Sequence, residues 1–132
     1  MLYLLLNRSN QTVLADQVEL ADTSWTRMRG LLGKKPGDFN SGKGLWIVPS
    51  QGVHTIGMSF PIDVAYLDSQ RRVIHICHGL QPFRIAAVKL KARSVVELPA
   101  GTLARTQTSL GDVLEISPIK AEEVESCAAA QV

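Results

Sequence analysis

Aromatic residues make up only 5% of this 132-residue chain. They are not interleaved with the basic positions, as a surface that stacks single-stranded nucleic acid requires. Cysteine is scarce as well: Cys77 and Cys127 stand alone, and neither belongs to a C-x-x-C pair. That spacing excludes a disulfide framework and a zinc site, and leaves Cys77 as a buried small hydrophobe and Cys127 as an exposed thiol. No apolar run approaches the roughly 20 residues that cross a bilayer. The opening "MLYLLL" has no basic n-region and stops at Asn7 and Arg8. It is shorter than the roughly 7–15 apolar residues of a secretory signal. It reads as a first β-strand, and the compartment expected is the cytoplasm, with no membrane partner. "KKPGDFNSGKG" is glycine-rich but lacks phosphate-loop spacing, and no helix-turn-helix or zinc-finger pattern occurs.

What is present is ordinary for a soluble globular protein: 45% apolar and 20% charged residues. The length fits one domain with a core that needs no metal or disulfide. The net charge of +2 hides an asymmetry. Residues 21–105 hold twelve Lys and Arg against five Asp and Glu, a local charge of +7, whereas the segment from Pro118 has one Lys against three Glu. A basic body attracts phosphates or acidic partners, or is simply solvated.

Along the chain, "LYLLL" suits a buried strand, and "NRSNQ" breaks it near Arg8 to Gln11. "TVLADQVELA" alternates with strand period. "ADTSWTRMRGLLGKKPG" changes period: Trp25, Met28 and Leu32 form one helical face, with Asp22 or Thr23 as cap and Gly33 as the stop. Both Trp25 and Trp46 are expected in the core. Gly30 inside this helix costs roughly 1 kcal/mol relative to Ala, which points to an element packed close against it. "LWIV", "VHTI", "PIDVAYL", "VIHICH", "SVVELP" and "VLEI" read as strands, the third and fourth as a hairpin turning at Asp68 to Arg72. Residues 84–93 read as loop or weak strand, and Thr102 as the cap of a short helical turn. The fold expected is a mainly β single domain over residues 1–117. Its form is a small irregular β-barrel, closed or partly open, with one short α-helix; residues 118–132 form an acidic, Ala-rich tail.

The segments "ADTSWTRMRGLLGK" (21–34), "GLWIVPS" (44–50), "FPIDVAYLD" (60–68), "VVELPAGT" (95–102) and "LGD" (110–112) occur in the order and spacing of a known family. Across roughly residues 13–117 the chain resembles DUF192, a family of small, mainly β domains that carries no established activity. Many members have an aromatic-Met-Lys-Asn-Thr stretch before the Pro-x-Asp. This chain has "HTIGMSF" there and resembles a branch with a His-Thr-x-Gly-Met pattern, so roles of the common form do not carry to His54, Thr55 or Met58. Other elements have mechanics of their own. Pro61 suits a strand start and Pro99 a strand end; Gly101 and Gly111 suit tight turns, and Asp112 suits backbone capping.

Two readings compete at the polar residues. His54 is a candidate general base, with Asp63 the acid a strand could bring beside it. No Ser or Cys nucleophile signature accompanies it, which favours a structural or ligand-contacting His. His75 and His78 point to opposite faces of a strand and make poor joint metal ligands, so no metal or cofactor is expected. Asp63 shares a face with Ala65 and Leu67 and therefore needs hydrogen bonds or a cation. Arg27 and Arg29 are candidate partners, in a clamp on the helix or the Gly57 turn. The function expected is a non-catalytic module that binds a small ligand or a protein partner. The candidate contacts are Arg29, His54, Thr55, Met58 and Asp63, with basic residues of 27–43 and 84–93 at the rim. A hydrolase or isomerase using His54 and Asp63 is the first alternative, and weak nucleic-acid binding through the basic body the second.

Overall fold

The computed structural model describes residues 1–119. The expected tail therefore lies outside the described residues, except for Pro118 and Ile119. Seven strands form one sheet: β1 (Leu2–Asn7), β2 (Thr12–Ala21), β3 (Lys43–Ile47), β4 (Ile62–Leu67), β5 (Val73–Leu80), β6 (Ser94–Pro99) and β7 (Leu114–Ile119). Their order is β5-β4-β6-β3-β2-β1-β7. Among the described residues only β2 and β3 pair in parallel, and the crossover between them carries α1 (Ser24–Arg29) and a 3-10 turn at Pro36–Asp38. A second helix, α2 (Thr102–Arg105), follows β6.

The mainly β class stands as expected, and the sheet is partly open. Its edge strands meet at one corner only, where Val73 N donates to Asp112 O at 2.8 Å and Leu114 N to Arg71 O at 2.9 Å. Inside the curl lie Leu5, Val18, Ala65, Val96, Leu98 and Leu114, plugged by Leu103 of α2. The outer face of β3, β4 and β6 is covered by a second cluster in which Leu31, Phe39, Met58 and Phe60 pack on Ile47, Val64 and Val95. The β4–β5 hairpin forms as expected. Its turn is held by Asp68 Oδ1, which accepts from Gln70 N and Arg72 N at 2.9 Å each.

Several details differ from the sequence reading. There are two short α-helices rather than one. Gly101 (φ 91°) occupies the cap position of α2, and the Thr102 hydroxyl instead donates back to Pro99 O at 2.7 Å. Helix α1 stops at Gly30, not Gly33. Gly30 is there for its positive φ of 49° rather than for a close neighbour, since a Cβ would meet nothing nearer than Arg27 O at 3.9 Å. Trp25 and Met28 are 65% and 62% exposed, because six residues make under two turns and cannot bury a face. Leu31, just past the helix, is the residue that enters the core. Trp46 is half-buried between the Tyr3 ring and the Arg71 guanidinium. "VHTI" is not a strand: it contributes one bridge, His54 to Ile85. Strand β7 runs three residues further than expected, to Ile119.

Candidate functional site

Between α1, the loop after β3 and the outer face of β6 lies a cleft of about 310 Å³. Glu97 lines it from the sheet side. Glu97 sits mid-sheet, with Leu45 of β3 on one side and Val64 of β4 on the other. Strand parity puts it with Val95 on the outer face, where every other strand neighbour is apolar. It is 3% exposed, and its Oε2 is buried with no hydrogen-bond partner among the described residues. Burial pushes its carboxyl up to about 8. At neutral pH it is therefore the neutral acid, with one O–H to donate and oxygen lone pairs to accept.

The walls are apolar, from Met28, Leu32, Ile47, Val53 and Met58, and the remaining charged or titratable lining groups are Arg27, Arg29 and His54. The loop that carries His54 begins at a cis Val48–Pro49 bond. It is tied down at its start: Ser50 N donates to Arg93 O at 3.0 Å, and Arg27 Nη1 reaches Pro49 O at 3.4 Å.

The expected contact residues separate. Arg29, His54 and Met58 line the cleft. Thr55 does not: it is fully buried, its Oγ1 donates to Gln81 O at 2.6 Å and accepts from Arg84 N at 2.9 Å, so it pins the 81–84 segment to this loop. Asp63 lies on the opposite, inner face of the sheet and is fully buried. Its Oδ1 accepts from Gly79 N at 2.8 Å and its Oδ2 from Leu103 N at 2.9 Å. Backbone donors hold this carboxylate, rather than Arg27 or Arg29, and it clamps α2 and a bulge in β5 rather than α1 or the Gly57 turn. The structure does not bring His54 and Asp63 together. Asp112 accepts from Ser109 N and from Asn7 Nδ2, each at 2.9 Å, beside Gly111 at φ 90°.

Of the other groups considered, His75 stands edge-on to Tyr66 at 4.9 Å, and His78 is exposed. Burial lowers the His75 imidazole, with Lys89 adding to the effect, and raises the half-buried Cys77 thiol. Cys127 lies outside the described residues. Of the expected rim, the 84–93 segment borders a separate shallow groove with Ile85 and Val88, on the far side of His54. Glu97 is the site residue that sequence reasoning missed. Its signal was legible: in "SVVELP" both faces of the strand are apolar, so an acid on either must be buried.

Residues 5–116 match the model of the DUF192 family, described as an uncharacterized ACR. A UPF0127 protein of Pyrococcus horikoshii is 30% identical over 117 residues, which span 85% of this chain and 97% of that protein. One from Thermococcus gammatolerans is 31% identical over 116 residues, 84% of this chain and 73% of that protein. Among solved structures, a protein of unknown function from Novosphingobium aromaticivorans shares the fold with a TM-score of 0.73 at 22% identity, covering 86% of this chain and 82% of that one. A Sinorhizobium meliloti protein gives a TM-score of 0.70 at 25% identity, over 86% of this chain and 91% of that one.

Proposed function

The chain belongs to the DUF192 family, and from that premise we propose that it is a non-catalytic module that takes a small organic ligand into the cleft over Glu97. The observation that carries this reading is the unpartnered Oε2 of Glu97 on the cleft wall. An unsatisfied buried polar group costs about 1–3 kcal/mol, and leucine at this position would avoid the cost. A ligand that hydrogen-bonds the carboxyl recovers it. The volume sits at the small end of ordinary ligand pockets, roughly 300–1,000 Å³, and the apolar walls with a few polar groups match their usual make-up. The non-catalytic part rests on Ser50, the one hydroxyl of the lining among the described residues. Its Oγ donates to Gly52 O at 2.7 Å, so it is not poised on His54 as an activated nucleophile would be.

A thermal-shift screen over small metabolites tests the proposal, since whatever binds the folded state raises its melting temperature by mass action. Some members should stabilise the native chain and lose that effect in Val53→Trp, which fills the cleft. A screen with no shift, or shifts that survive Val53→Trp, would remove the reading. Nucleic-acid binding is the second reading. It draws on the charge of +7 over residues 21–105 and on the transcription-regulator role suggested for the S. meliloti protein.

A further inference from the structure

The charges around the cleft narrow the ligand. Arg27 and Arg29 enter from α1 and His54 from the loop after β3. The strands beside Glu97 present Leu45 and Val64. Among the described residues Glu97 is thus the only acid of the lining, and the entrance is positive. Resting on the binding reading above, we propose that the cleft selects an apolar organic acid with a carbonyl oxygen at its far end. The anionic group pairs with the guanidinium groups of Arg27 and Arg29, the carbon chain lies against Met28, Leu32 and Val53, and the carbonyl accepts a hydrogen bond from the Glu97 carboxyl.

Three arguments support the polarity of this arrangement. First, the raised Glu97 carboxyl has burial as its sole cause, so no cation stands close enough to hold it ionised. Its resting form donates, and the complementary ligand group accepts. Second, the cationic side chains of the lining, Arg27 and Arg29, repel an ammonium ligand, which disfavours it. Third, the volume equals that of about ten liquid waters at roughly 30 Å³ each. A chain of about ten heavy atoms therefore fills it from rim to floor.

The probes are 6-oxoheptanoate, heptanoate without the carbonyl, 2-heptanone without the anion, and hexylamine, each titrated calorimetrically. The oxo acid should bind at least tenfold more tightly than any of the other three. Because it needs Glu97 protonated, its affinity should fall about 30-fold from pH 7 to pH 9.5. Glu97→Gln keeps a donor at every pH, so it should bind the oxo acid with that loss abolished; His54→Gln should retain the loss. Arg29, exposed and with no side-chain hydrogen bond among the described residues, gives the cleanest variant at the rim. Arg29→Gln should weaken the oxo acid severalfold and leave 2-heptanone unchanged. If 2-heptanone or hexylamine binds as well as the oxo acid, or the pH loss persists in Glu97→Gln, the selection proposed is wrong while the cleft stands as a binding site. If none of the four binds and the wider screen is also silent, both proposals fall.

Discussion

Asp63 and Glu97 are both buried acids, and they differ in what surrounds them. Asp63 is saturated by two backbone N–H groups from elements 16 and 40 residues away in sequence. Asp63→Ala would leave both donors stranded and cost about 1–3 kcal/mol. His54→Ala removes an exposed ring and should cost under roughly 1 kcal/mol. Urea melts that ranked His54 as the more damaging would show that this account of the inner face is wrong. Glu97 makes the opposite contribution. Its folded-state pKa lies above the unfolded value, at about 8 against 4.5. The folded chain keeps a proton that the unfolded chain has released, so stability falls as pH rises from about 4.5 to 8 and levels off above. Each unit is worth about 1.4 kcal/mol, several kcal/mol over the window as an order of magnitude. Glu97→Gln should flatten that decline and be the more stable protein at pH 9. Parallel declines in the two proteins between pH 5 and 8 would show that Glu97 is not its source. The same parity argument exposes both acids in the sequence. Asp63 stands out beside Pro61, whereas Glu97 is hidden when it is counted only as one negative charge in a basic body.

At the scale of elements, strands were legible and the helix face was not. Alternation marks β2, which keeps exposed positions, and apolar runs mark β4 and β6, which are buried along almost their whole length. "VHTI" is also rich in β-branched residues but follows a strand with no free edge. Strand β3 is already paired with β2 and β6, so the segment bonds to the 83–86 loop instead. The spacing of Trp25, Met28 and Leu32 is helical, yet a helix of six residues lets the first two face solvent. Trp25→Ala should therefore change stability by under about 0.5 kcal/mol, the usual range for surface changes. Leu31→Ala, at a position 3% exposed, should cost about 2–5 kcal/mol in the same denaturant titration. Equal costs would mean that α1 is seated in the core after all.

For the whole molecule, the class was legible but the strand order was not. The hairpins follow from local turns, whereas β1–β7 and β3–β6 pairings join residues far apart that no local pattern marks. Charge at this scale is also less available than a count implies. Arg71 Nη1 donates to Ile116 O at 3.0 Å, with its guanidinium over Trp46, and Arg72 Nη1 donates to Gly111 O at 3.1 Å. Cations tied to carbonyls are poorly placed to displace phosphate counterions. The chain should show no retention of DNA or RNA in a filter assay at physiological salt. Sub-micromolar, salt-sensitive retention would make the nucleic-acid reading the leading one.

The pairing of β1 with β7 has a consequence for synthesis. Leu2–Asn7 leaves the ribosome well before its partner on one side, Leu114–Ile119, which comes more than a hundred residues later. Until then the β1–β2 hairpin exposes one edge of "LYLLLN", an apolar strand with unpaired amides of the kind that recruits other chains. Closing so distant a contact is also slow on topological grounds. A chain ending at residue 113 should therefore be found in the insoluble fraction, and a soluble, cooperatively melting product would show that the first strand guards its own edge. Nascent chains carry this apolar strand with one edge uncovered for as long as the residues between the two partners take to be made.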